Sequence, residues 1–340
     1  MINNHKRTLV CVIAQTRDHK LTWTNFNKYV VKTLNADLAI CVSKDKNYNF
    51  NNSYYKNSKY RWFCKDYKDF AEAFDYAQKK IYLNSTKKKP NWRKVKIIRD
   101  HWLGGIRGPK KQVGSAGISM FFRWLLLNNL KKSGIINKYD RFIVTRGDLF
   151  WVAPHTKLSS LNENYIWIPD GEYYGGFNDR HAVLSKQNVT DYLNIINPIL
   201  STPSKLVKSM KNYEHWSLEK YLKFYLEKIK YKKKVKFFPH LMFLVRRGST
   251  PTNSAYSIYS KKHKYYIKYP TEYISANIYK QITKNKNHSL NLTFNKFIFK
   301  IHKFFIKVGI TRKIWFKIFD KKKAFDSQIV AEYYKKRRLF

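Results

Sequence analysis

The sequence predicts an α/β protein built on a mostly parallel sheet, and three stretches predict it. Residues 8–17, TLVCVIAQTR, read as a short buried strand that ends in polar residues. Residues 22–34 place Phe26, Tyr29, Val30, Thr33 and Leu34 at helical spacing, and 36–43, ADLAICVS, form a second buried strand. A strongly apolar helix at 118–134 then runs directly into another strand-like segment, YDRFIVTRGDLFW at 139–151. A strand–helix–strand opening calls for parallel pairing, and such sheets bind ligands beyond the carboxyl ends of their strands. At the end of the first strand that position holds Gln15, Thr16 and Arg17.

Along the chain, residues 45–89 are polar and rich in Tyr and Asn, with one helical candidate at 70–82. Residues 99–117, RDHWLGGIRGPKKQVGSAG, form a glycine-rich basic loop before the apolar helix, which Gly134 caps at its C-terminus. YIWIP at 165–169 is a further strand; a helical region runs from 214 to 229, and VKFFPHLMFLVRR at 235–247 reads as one apolar strand. Beyond about 250 the chain turns into a Ser/Thr/Tyr-rich linker and then basic, aromatic segments, so the expected division is 1–250 and 251–340.

The 340 residues carry 68 Lys+Arg against 22 Asp+Glu, a net charge of +46, with 44% hydrophobic and 17% aromatic residues. Disorder is excluded by that apolar content, and the charge favours polyanionic partners such as nucleic acid, anionic lipid or phosphorylated substrates. Cys11, Cys41 and Cys64 have neither metal-ligand spacing nor even pairing, which fits a reduced, cytosolic chain. No segment has the length and polarity of a secretory signal or a membrane span.

Two constellations could carry chemistry. Arg146 and Asp148, two apart, project to one face of a strand end, either as a structural ion pair or as the handle for a metal-bound or phosphorylated ligand. Residues 169–183, PDGEYYGGFNDRHAV, gather Asp170, Glu172 and Asp179 with Gly171, Gly175, Gly176, Arg180 and His181. Acids in such a loop suit hydrogen bonding to sugar hydroxyls or general-base work, and the Gly175-Gly176 pair permits close backbone approach.

AQTR after the first strand, then a helix leading to YDRFIVTRGD, then GGFNDRHAV, resembles the motif order of bacterial polysaccharide glycosyltransferases of the GT-A type, over roughly residues 8–247. The resemblance implies a GT-A-like, Rossmann-type nucleotide-binding domain, a nucleotide-sugar donor, a cell-surface glycan or lipid-linked acceptor as in capsule or lipopolysaccharide synthesis, and a divalent metal, Mn²⁺ or Mg²⁺. It places Gln15, Arg17, Arg146, Asp148 and Arg246 at the donor, and Asp170, Glu172, Gly175, Gly176, Asn178 and Arg180 at the sugar or acceptor. It makes Asp179 the first choice of base and Glu214 the second, and Asp148 and His240 the metal ligands. An Arg-x-Asp stands where related families carry Asp-x-Asp, so charge on a leaving diphosphate could instead meet Arg107, Lys110, Lys111, Arg246 and Arg247.

In the tail, Phe294, Phe297, Ile298, Ile301, Phe304, Phe305 and Val308 fall on one helical stripe with lysines off it. That pattern suits either a helix lying on an anionic membrane surface or one packed on the main domain. The expected location is therefore cytoplasmic, on the inner face of the cytoplasmic membrane. A nucleic-acid-binding protein is the competing class, but the basic residues are spread rather than gathered into a module, so no nucleic-acid partner is expected. A glycoside hydrolase, working through paired carboxylates, is a third class.

Overall fold

Strand β1 (Thr8–Ala14) is apolar at nearly every position, which fits a strand covered on both faces, and it lies inside the main sheet. A computed structural model describes residues 6–44, 51–98, 101–107, 114–171, 173–211, 215–229, 234–248 and 257–284. Its further strands are β2 (Asp37–Lys44), β3 (Tyr60–Lys65), β4 (Arg141–Thr145), β5 (Leu149–Trp151), β6 (Ile166–Pro169), β7 (Ala182–Ser185), β8 (Val235–Phe238), β9 (Met242–Arg247), β10 (Ile258–Ser260) and β11 (Tyr265–Ile267). Its helices are α1 (His19–Phe26), α2 (Ser53–Asn57), α3 (Phe70–Ile81), α4 (Ala116–Lys132), α5 (Lys186–Leu193), α6 (Asn197–Ser201), α7 (Pro203–Met210), α8 (Leu218–Phe224) and α9 (Pro270–Lys284).

The main sheet has the order β3-β2-β1-β4-β7-β6-β8, and within it β7 runs against its neighbours. Helices flank it on both sides, so the architecture is the mixed, mostly parallel, Rossmann-like α/β fold expected. Period-two alternation sorts the strand residues into two cores. Leu9, Cys11, Ile13, Ala39, Cys41, Phe142 and Val144 pack against α3 and α4, while Val10, Val12, Leu38, Ile40, Val42 and Ile143 pack against Phe26, Val30 and Tyr54. Helix α4 has little amphipathic character because α3, α5 and the sheet surround it. It ends as expected, with Gly134 in the left-handed conformation at φ 68°.

The stretch 235–247 is two strands rather than one. β8 joins β6 in the main sheet, and β9 enters a second, antiparallel sheet of order β10-β11-β9-β5. Pro239, which donates no backbone hydrogen bond, stands at the break. A boundary at 250 would fall inside this second sheet: β11 pairs β9, and Tyr273, Ile274 and Ala276 of α9 pack on Phe243 and Val245. The amphipathic stripe from 294 onward, with Lys110 and Lys111, lies outside the described residues.

Candidate active site

Residues 146–148 are where the chain leaves the main sheet for the second one. β4 ends at Thr145, β5 begins at Leu149, and the Val245 amide of β9 donates to the Asp148 carbonyl at 3.2 Å. Gly147 makes the crossing because a Cβ there would lie 3.2 Å from Thr16 Cα. Its carbonyl accepts from Thr22 Oγ1 at 2.7 Å and from the Tyr54 hydroxyl at 3.1 Å, which ties the crossing to α1 and α2.

Fixed in that way, Arg146 donates from Nε to Asp148 Oδ1 at 2.9 Å and from a terminal nitrogen to Oδ2 at 2.7 Å. Arg246, from the end of β9, reaches the same Oδ2 at 2.6 Å. Burial opposes ionisation of Asp148, but the two guanidinium groups outweigh it and hold the carboxyl well below the usual carboxylate range.

The end of β1 supplies the facing wall. Ala14 and Asp18 both adopt left-handed backbone, at φ 74° and 65°, a conformation that costs a non-glycine residue energy and clusters at functional sites. Thr16 between them is pinned by Asn52 Nδ2, 2.9 Å from its hydroxyl. Asp18 Oδ1 accepts from the Arg247 amide at 3.2 Å, whereas Asp18 Oδ2 and Gln15 Oε1 are buried without a hydrogen-bond partner among the described residues. Arg17 is exposed, and no hydrogen bond or ion pair of its side chain occurs among the described residues. Although the residue is exposed as a whole, surrounding protein withdraws part of its guanidinium from water, and this, then Arg246, lowers its affinity for the proton. Lys268, just after β11, is pushed down to about 8 by burial and by Arg146, Arg246 and Arg180.

The 170–180 loop closes the other side. Asn178 braces it internally, donating to the Gly171 carbonyl at 3.2 Å and accepting from the Arg180 amide at 3.0 Å. Asp179 is held from behind by Arg123, which is fully buried on α4 and bonds the Asp179 carbonyl, with its carboxylate at 3.6 Å. Arg180 pairs with Glu272 of α9 and lies 4.5 Å from the Tyr269 ring centroid and 5.6 Å from that of Tyr174. Glu219, in the first turn of α8, is raised by burial and then by the charge of Asp179.

The close approach expected of Gly175 and Gly176 is made to protein. A Cβ on Gly176 would fall on the Glu219 carbonyl, and one on Gly175 would lie 2.8 Å from Lys220. Asn178 likewise serves the loop, being 1% exposed. Asp170 is half-buried at the end of β6, its charge felt by Tyr279 of α9. Glu172 and Glu214 lie outside the described residues.

The structure thus gathers Gln15, Arg17, Arg146, Asp148, Arg246, Asp179 and Arg180 into one cluster at the carboxyl ends of β1 and β4. It adds four residues that the sequence patterns did not single out. Asp18 follows Arg17 directly, and Glu219 is the acid two residues after the Ser217 N-cap. Lys268 and Glu272 come from the stretch read as linker, where Pro270-Thr271-Glu272 carried a helix-start signal.

A divalent metal does not fit Asp148 and His240. Both Asp148 oxygens already accept from guanidinium groups, and His240 is buried beside the Arg180 charge, so a dication at either place would meet a neighbouring guanidinium. Among the described residues no three His, Cys, Asp or Glu side chains gather as a metal-holding group. His240 instead belongs to a buried neutral set with His155 and His181, whose Nε2 atoms lie 3.2 Å apart.

No protein-family model matches this chain, and no curated protein matches it. Among solved structures it is similar to the apo form of mouse xyloside xylosyltransferase 1, with TM-score 0.37 and 8% identity over 68% of this chain and 84% of that one. A likeness this slight leaves the chemistry to be argued from the residues.

Proposed function

We propose that the chain is a glycosyltransferase that moves a sugar from a nucleotide-sugar donor to a cell-surface glycan or lipid-linked acceptor, in capsule or lipopolysaccharide synthesis. The observation that carries this reading is the cluster at the carboxyl ends of β1 and β4: Asp148 shared by Arg146 and Arg246, next to the Asp179–Glu219 acids. Anionic phosphate would lie against the arginines. Gln15 Oε1 and Asp18 Oδ2 lack donors among the described residues and would accept from hydroxyl or amide groups of the nucleoside. The donor sugar would then reach toward the 170–180 loop.

In that arrangement Asp179 takes the proton of the acceptor hydroxyl, whose oxygen bonds the anomeric carbon. The bond to the leaving diphosphate breaks, and its electron pair goes to the phosphate oxygen. Arg123 orients Asp179, and Glu219 in its raised state is the second group able to hold that proton. Arg180, fixed by Glu272 and two tyrosines, is placed to steady the sugar or the acceptor.

The test is a thermal-shift panel of UDP, GDP and CMP and their sugars, followed by transfer assays on the nucleotide that stabilises. Stabilisation by at least one nucleotide is expected. Salt-sensitive binding of DNA or RNA with no nucleotide stabilisation overturns the reading in favour of a nucleic-acid binder. The 285–340 stripe would rest on anionic lipid: truncation after residue 284 should release the chain from anionic vesicles, and vesicle binding that survives truncation rejects that role.

A further inference from the structure

Arg17, from the loop after β1, and Lys268, from the segment between β11 and α9, both lie within charge reach of Arg146, Asp148 and Arg246. Neither has a carboxylate of its own among the described residues. The nearby acids are engaged elsewhere: Asp148 with Arg146 and Arg246, Glu272 with Arg180 and the Leu244 amide, Asp179 with Arg123, and Asp18 through Oδ1 with the Arg247 amide, its Oδ2 4.0 Å from Arg246. Arg246 donates to its own Val245 carbonyl as well as to Asp148. A carboxylate already neutralised by two guanidinium groups is a poor ligand for a hard dication, which those same two cations repel. It can instead hold two guanidinium forks at a fixed spacing, and a fork held by an acid keeps other N–H groups free to donate.

From this geometry we infer that the cluster binds the diphosphate of its ligand through Arg17, Arg246 and Lys268 without a divalent metal, and that Asp148 is the strut that positions Arg146 and Arg246. The inference rests on the nucleotide-sugar reading and deepens it by naming how the diphosphate charge is met. It also accounts for two facts that a metal site leaves unexplained. Lys268 sits among Arg146, Arg246 and Arg180, a crowd of like charge whose repulsion a bound anion would relieve. Arg17 is presented to solvent between two left-handed residues rather than folded onto either neighbouring acid.

The experiment titrates the full chain calorimetrically with UDP, GDP and inorganic pyrophosphate, in EDTA and then in Mn²⁺ or Mg²⁺. A nucleoside diphosphate and pyrophosphate should bind in EDTA and compete with one another, with affinity changed less than about threefold by the metal. Arg17→Ala and Lys268→Ala should each weaken pyrophosphate binding about tenfold, the loss expected for one charge-assisted contact. Both side chains are at least partly exposed, so these variants keep the fold, which circular dichroism checks. Binding that vanishes in EDTA and returns with Mn²⁺ overturns the inference and leaves the nucleotide-sugar reading standing. Pyrophosphate affinity unchanged in both variants overturns it too. Binding of no nucleotide under either condition overturns both.

Discussion

Asp148 shows how one side chain carries two consequences. Its side chain is 5% exposed and bonded to two guanidinium groups, so Asp148→Asn keeps the shape and removes the charge. Arg146 and Arg246 are then left with uncompensated charge in a partly buried place, and breaking a buried pair from one side costs about 3 kcal/mol. Arg146 keeps 27% of its side chain exposed, so solvent screens part of that cost. The expected result is a loss of about 2 kcal/mol in urea unfolding at pH 7 together with loss of nucleotide stabilisation. Normal nucleotide stabilisation in this variant would remove Asp148 from the site. The Arg146–Asp148 pair was legible in the sequence as two residues on one strand face, whereas Arg246 was placed with them only by the family resemblance and not by any local pattern. Arg246 lies about a hundred residues away in β9, and only the pairing of β5 with β9 brings it there.

At the level of elements, glycines separate local from tertiary demands. Gly134 ends α4 at φ 68° with nothing within 4 Å of where a Cβ would stand, so its requirement is conformational and the sequence announces it. Gly176 carries a tertiary requirement: the first turn of α8 lies against it, and no local pattern names that partner. Gly134→Ala should therefore cost about 1 kcal/mol, the strain of one left-handed residue. Gly176→Ala must push the backbone at Glu219 aside and should cost about 3 kcal/mol, at the upper end for overpacking. Because Glu219 rides on that turn, Gly176→Ala should also lower sugar transfer, while Gly134→Ala should not. Equal costs in chemical denaturation, or transfer unaffected by Gly176→Ala, would contradict the packing of the loop on α8. The same contrast explains which elements the sequence disclosed. β1, β2, α3 and α4 are long, strongly patterned and local; β5, β10 and β11 are three residues each and exist only as partners in a sheet.

For the molecule as a whole, acid response follows from the histidines behind the site. His155, His181 and His240 are buried, the first two against Trp151 and Phe238, and all three are held neutral by loss of solvent. His155 is pushed down to about 4 and His240 to about 3, against about 6.5 in an unfolded chain. A group whose folded value is depressed contributes stability that is present above the unfolded value and lost as pH falls toward the folded one. Between about pH 6.5 and 4 the unfolded chain binds protons that the folded chain refuses, so each histidine removes about 1.4 kcal/mol per pH unit. Asp148 also loses its contribution in acid, but only from the ordinary carboxylate value downward, where the unfolded group begins to bind protons, so it acts after the histidines. Glu219 and Asp18 are shifted the other way, and their contribution is lost as pH rises through the raised values, so they partly offset the loss on acidification. Three histidines against two such acids leave the net slope downward toward acid. The urea midpoint should fall between pH 6.5 and 4.5, before the ordinary carboxylates titrate, and replacing His155 with the similarly sized, uncharged Phe should flatten that slope by about 1.4 kcal/mol per pH unit. A midpoint constant down to pH 4.5 would mean that these imidazoles take up protons in the folded state, and that the second sheet does not seal them from water.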